Sequence, residues 1–287
     1  MVAAVIEDSL PGRSPRVVGF GADVFVTDTF MKEARTGCEP HLTYRVVSRE
    51  LSEKISPVLR RDAIARSNAG EGLSVIVINV GTTRTLSEQS ADYALRYHVR
   101  EAFIWSHLGY LIKEVLQEVW DETDREWSEA YGIVRTDFAE FYERKGCSVP
   151  SYRPYLIGIT GEEALRNPGS VAAPVFLSRR PRFHFSRGAQ ELLARAMEGD
   201  TDIAIAHALH LSLPAVKMRW RFIYNRVESL APELLPQSAN HQWESARGKE
   251  KRRRIVEYVR NHPEELRPFA VPRAVNQMRL LNVAGTS

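Results

Sequence analysis

"SLPAVKMRWRFIYNRV", residues 212–227, carries Lys217, Arg219, Arg221 and Arg226 on what reads as one helix, interleaved with Val216, Trp220, Ile223 and Val227. Those apolar positions are separated by four, three and four residues, the spacing of a buried helical stripe. Pro214, Lys217, Met218, Arg221 and Asn225 fall on another side. A basic face set against a buried stripe fits a helix laid on nucleic acid, or an amphipathic helix that keeps its charges in water.

The flanking residues decide between the two. Upstream, "FSRGAQELLARAMEGDTDIAIAHALHL" (185–211) predicts two shorter helices. Ser186 is placed to cap the first, which buries Leu192, Leu193, Ala196 and Met197 and ends at Gly199. The second starts at Thr201 or Asp202 and buries Ile205, Ala206 and Leu209. Leu211 fills the turn, Ser212 caps the third helix, and Pro214 is tolerated in its first turn. Helix, short turn, helix is the geometry that lays one helix across the DNA backbone and the next in the major groove.

These residues resemble the LuxR-type helix-turn-helix of bacterial transcription regulators over about residues 185–227. The likeness rests on Gly199, Ile205, Ala206, Leu209, Leu211, Ser212, Val216, Lys217, Ile223, Arg226 and Val227, at the family's spacing without a gap. It departs at Ala204, where the family has an acidic residue, and at Ala215, where it has a threonine. The resemblance implies DNA binding with Lys217 facing the DNA. Helical geometry adds Arg221 and Asn225, and Ser212 at the helix start is counted with them. Lysine or arginine donates to guanine O6 and N7, and asparagine bonds adenine. Arg219, Arg226 and the linker residues Arg179, Arg180 and Arg182 are better placed for phosphate.

Charge points the same way. The formal net charge of the 287 residues is only +3, yet from Val175 onward there are 19 Lys+Arg against 11 Asp+Glu. The basic end suits a polyanion. "RGKEKRRRIVEYVRNH" (247–262) reads as a further helix with Ile255, Val256 and Val259 inward, its basic start either touching phosphate or solvated.

Toward the N-terminus, four runs read as strands: "RVVGFGADVFV" (16–26), "GLSVIVINVG" (72–81), "PYLIGIT" (154–160) and "APVFL" (173–177). A helix starts near Asp28, "SPVLRRDAIARSNAG" reads as a short helix closed by Asn68 and Gly70, and "GEEALRNPG" as a helical turn. Apolar stripes Tyr97, Ile104, Leu108, Leu111, Val115, Val119 and Trp127, Tyr131, Val134, Phe138, Phe141 predict two long helices in an antiparallel hairpin, with Thr123 or Asp124 capping the second. The expected fold is α+β: a mixed N-terminal domain (1–177) with about four strands and a long helical hairpin, then an all-α helix-turn-helix domain (178–235) and a basic helical extension (236–287).

Other signals are weaker. "GFGADV" opens like a dinucleotide fingerprint but has Val24 in place of the third glycine. "RSNAGEGL" (66–73) distantly resembles the pyrophosphate loop of GNAT acetyltransferases, though it precedes a strand instead of following one. His207 and His210 lack a third ligand, and Cys38 and Cys147 stand outside any metal or redox motif. Neither a membrane span nor a leader is evident. The reading is a cytoplasmic transcription regulator, homodimeric, with double-stranded DNA as partner and room for a small-molecule ligand in the N-terminal domain. No catalytic residue, cofactor or metal is called for. Two rivals stand beside it: an acyl-coenzyme A-using, GNAT-like enzyme whose C-terminal helices dock, and an adaptor that binds protein through a helix-turn-helix fold.

Overall fold

Alternation starts with the first residues of the chain. In the computed structural model, β1 (Val2–Asp8) has Val2, Ala4 and Ile6 half-buried and Ala3, Val5 and Glu7 exposed. The structure describes residues 1–8, 14–37, 39–52, 56–82, 89–120, 122–129, 132–150, 152–167, 170–236 and 244–271, with the side chains of 8, 89–94, 96, 123, 127 and 244–247 outside that set. Among the described residues the chain divides into two compact units, Met1–Ser178 and Arg179–Ser287.

In the first unit, β1 pairs antiparallel with β2 (Arg16–Val26). Helices α1 (Asp28–Thr36), α2 (Leu42–Ser52) and α3 (Arg61–Ala69) follow, then β3 (Leu73–Thr82), antiparallel to β2. Helix α4 (Gln89–His107) crosses over to β4 (Ile112–Val119), which lies parallel to β3. Parallel neighbours need such a crossover. α5 (Glu122–Ser128), β5 (Ile133–Asp137), α6 (Ala139–Arg144), β6 (Tyr155–Thr160), α7 (Gly161–Arg166) and α8 (Ala173–Phe176) complete the unit. The sheet order is β1-β2-β3-β4-β6-β5.

Successive residues of a strand face opposite sides, and the two cores follow from that. Val24, Val26, Ile76, Leu116 and Leu156 pack with Phe30, Met31, Leu42, Val46 and Phe138 on one face. Phe25, Val75, Ile112 and Ile159 pack with Ile64, Ile104, Ala164, Val175 and Phe176 on the other. From Leu73 to Val77 β3 is buried on both sides, hence its apolar run.

The expected fold is corrected on three points. The sheet has six strands, not about four, because β1, β4 and β5 join β2, β3 and β6. The long helical hairpin is absent: its first helix stops at His107, and Gly109 adopts φ +87°, a left-handed turn that glycine adopts freely. Beyond that turn Ile112, Glu114 and Leu116 are each buried, and pairing with β3 and β6 on either side overrides the helical spacing of Val115 and Val119. Val134 likewise lies in β5, while Tyr131 and the Trp127 side chain fall outside the described residues. "APVFL" is helix α8, in which Pro174 occupies the first turn. As for the expected all-α helix-turn-helix domain, the structure gives helices around a shared core and does not by itself assign them that class.

Those helices are α9 (Arg187–Met197), α10 (Asp202–Ala208), α11 (Leu213–Leu230) and α12 (Glu244–Asn261), with short 3-10 turns at Pro232–Leu234 and Pro263–Leu266. Leu192, Leu193, Ile205, Val216, Trp220, Ile223, Val227, Ile255 and Val259 form one core, so α12 belongs to the same packed unit as the three helices before it. Glu265, 1% exposed, accepts hydrogen bonds from the backbone N–H of Arg182 (2.7 Å) and Phe183 (3.1 Å). Burial pushes its carboxyl above the ordinary range, against the pull of those bonds.

Candidate nucleic-acid interface

Each helix leading to the opening stretch starts on a hydroxyl cap. Ser186 accepts from Ala189 N–H (3.4 Å), Thr201 from Ala204 N–H (3.3 Å) and Ser212 from Ala215 N–H (3.3 Å). α9 closes at Gly199, whose φ of +90° is the left-handed position that favours glycine. Between α10 and α11 the turn is fixed by the Leu211 N–H donating to Ala206 C=O at 2.8 Å, with His210 at φ 51°. Ile205 and Ala206 are buried beneath that turn.

On α11 the buried residues are Val216, Trp220, Ile223 and Val227, the stripe that spacing picks out. Pro214, Lys217, Met218, Arg221 and Asn225 are all exposed. Lys217 and Arg221, one turn apart, have neither a hydrogen bond nor an ion pair among the described residues. Met218 and Phe222 are also exposed, at 58% and 66%, so the outer face mixes cations with apolar groups.

The remaining sequence-predicted cations divide. Arg219 donates to Gly188 C=O (3.1 Å), tying α11 to α9. Arg226 donates through Nε to Phe183 C=O (2.8 Å), and Arg182 donates to Leu230 C=O (2.7 Å) and pairs with Glu233 (3.0 Å). Arg226 and Arg182 thus fasten the segment entering the unit to α11, and Arg219 fastens α9 to it. Arg179 and Arg180 are exposed, with no partner among the described residues.

Sequence spacing did not show a second feature, centred on Asp202. The Asp202 Oδ1 accepts from Trp220 Nε1 (3.2 Å) and from Arg252 (2.6 Å), and Arg252 also donates to Asp200 C=O (2.7 Å). The Arg252 guanidinium lies 4.8 Å from the centre of the Trp220 ring. Together these contacts pin the middle of α12 beside α10 and α11. They leave an open groove of about 430 Å³ lined by Asp202, Lys217, Trp220, Arg221, Tyr224, Gly248, Lys249 and Arg252. Burial pushes the Tyr224 hydroxyl up to about 12, so it remains a neutral hydrogen-bonding group at physiological pH.

The chain matches no protein-family model and no curated protein. The case for the interface therefore rests on its own geometry.

The first unit contains a different kind of site. β3 pairs with β4 only as far as Val77 and Gln117, after which β3 continues to Thr82 against β2 alone. An apolar cavity of about 80 Å³ sits there, lined among others by Val77, Val80, Val99, Phe103, Val115 and Phe176, with Arg100 and Gln117 as its polar members. Crevices at the carboxyl ends of parallel strands are common ligand positions. The "RSNAGEGL" loop lies before the start of β3, where Gly70 N–H donates to Ser67 C=O and Asn68 accepts from Leu111 N–H (2.7 Å). Its polar groups hold backbone together. No group of three or more His, Cys, Asp or Glu arranged to hold a metal occurs among the described residues, and His207 and His210 are both exposed. Among those residues no helix is long and apolar enough to cross a membrane.

Proposed function

We propose that the C-terminal unit binds double-stranded DNA, with α11 presented to the major groove in the manner of LuxR-type transcription regulators. The observation that carries this reading is the sorting of cations. Lys217 and Arg221 project one turn apart with no internal partner, while Arg219, Arg226 and Arg182 are spent on holding the fold. Lys217 and Arg221 are the guanine readers, Asn225 is placed for adenine, and the exposed Met218 and Phe222 suit thymine methyl groups. Arg179 and Arg180 contact phosphate only. The protein is cytoplasmic in this account and acts as a homodimer. Val5 and Phe20, paired across β1 and β2 and 58% and 42% exposed, offer an apolar patch for that contact. The cavity beside β3 and β4 would take a small apolar ligand as the regulatory input. A genome-wide binding map tests the reading: discrete sites sharing a sequence support it, and uniform background defeats it.

The same cavity also favours a second reading, in which the first unit handles an acyl group as an acyl-coenzyme A-using enzyme does. Calorimetry with acetyl-coenzyme A separates the two. An adaptor that binds protein would use the exposed Met218 and Phe222 instead, and its affinity for any duplex would be negligible.

A further inference from the structure

The basic run in the middle of α12 contains Lys249, Lys251, Arg252, Arg253 and Arg254, and the structure distinguishes their roles. Arg253 is bonded to Glu250 (2.8 Å) and Glu257 (3.2 Å), and Arg254 to Glu250 (3.0 Å). Arg252 is committed to Asp202, and Lys251 is half-buried away from the groove. Lys249 alone among the five is exposed, without a hydrogen bond or ion pair among the described residues, and on the wall of the groove that Lys217 and Arg221 line from α11. The one carboxylate in that groove, Asp202, already accepts from Trp220 and Arg252, so its charge is answered internally. Arg252, three residues beyond Lys249, fixes this part of α12 by stacking on Trp220. Residues three apart on a helix share a side, so Lys249 stands on the groove's wall next to Arg252.

We propose that Lys249 is a phosphate contact: while Lys217 and Arg221 read base edges from α11, the flanking backbone of one strand of the bound duplex passes along the α12 wall of this groove, against Lys249. This rests on the proposed duplex binding and extends it: α12 is part of the DNA interface, in addition to its place in the core. A free cation on the wall facing the base-reading side of α11 matches a phosphate that borders the groove being read, and each neutralised phosphate releases condensed counterions.

The test uses the full-length protein and a random-sequence duplex, with the binding constant measured over a range of salt. Lys249→Gln is expected to make the log-log slope shallower by about 1, as loss of one phosphate contact requires. Arg253→Gln, whose arginine is held by Glu250 and Glu257, should leave the slope unchanged. Circular dichroism melting should show both variants folded, since neither side chain is in the core. If Lys249→Gln keeps the parent slope while Arg180→Gln makes it shallower, α12 does not touch the backbone and the proposal fails with duplex binding intact. If the parent protein binds no duplex, both fail together.

Discussion

Replacing Arg221 by alanine removes a side chain that has no hydrogen bond or ion pair among the described residues and lies outside the core, so the fold should not register the loss. Any effect on binding then reports the DNA contact itself. A bidentate arginine-guanine pair discriminates by about 1–3 kcal/mol, which corresponds to roughly a 5- to 150-fold weaker complex with the cognate site. On random duplex the same change removes only a general attraction and should cost much less. Arg180→Ala is the matched comparison: it is exposed, lies in the segment entering the unit, and should weaken cognate and random duplex about equally. Fluorescence anisotropy on both duplexes at fixed salt gives the four ratios. If Arg221→Ala weakens both duplexes equally, or neither, the outer face of α11 does not read bases and the assignment is wrong.

Trp220→Ala should destabilise the C-terminal unit by about 3–5 kcal/mol, because it empties a fully packed position and leaves Asp202 without its indole donor; calorimetric melting within a degree of the parent would contradict that. A third expectation concerns pH. Arg135 and the Thr160 backbone hold the Glu163 carboxyl down at about 2, well below its value in an unfolded chain. A lowered folded pKa gives stability that is present above the unfolded value of about 4.5 and lost as pH falls toward 2. Glu163→Gln should therefore melt lower than the parent at pH 7, with the gap closing through that acid window. A gap that is constant with pH would show that the carboxylate's charge contributes nothing.

How far the chain could be read depended on whether local sequence or distant pairing decided each element. β2 and β3 were legible because their apolar runs are long and bounded, and the stripe of α11 because four positions repeat at helical spacing. β4 was not, since Ile112, Val115 and Val119 satisfy helical spacing as well as they satisfy a strand between β3 and β6. Gly109, the one local sign that α4 must stop, sits in the middle of the expected first helix. In the candidate site, spacing put Lys217, Arg221 and Asn225 on the exposed side. It could not foresee that Arg219 and Arg226, at the margin of that side, would fold back onto carbonyls of α9 and of the segment before it. Nor could it place Lys249, which reaches the same groove from another helix through contacts of Arg252 with Asp202, 50 residues away in sequence.

The salt dependence of duplex binding tests the central claim most directly. Three cations placed for phosphate, Lys249, Arg179 and Arg180, stand without partners among the described residues. If each neutralises one phosphate, a log-log plot of the association constant against salt should fall with a slope of about −3 per bound protomer. A slope near zero, or no measurable binding at low salt, would contradict DNA binding by this unit and leave α11 as a basic helix with another task.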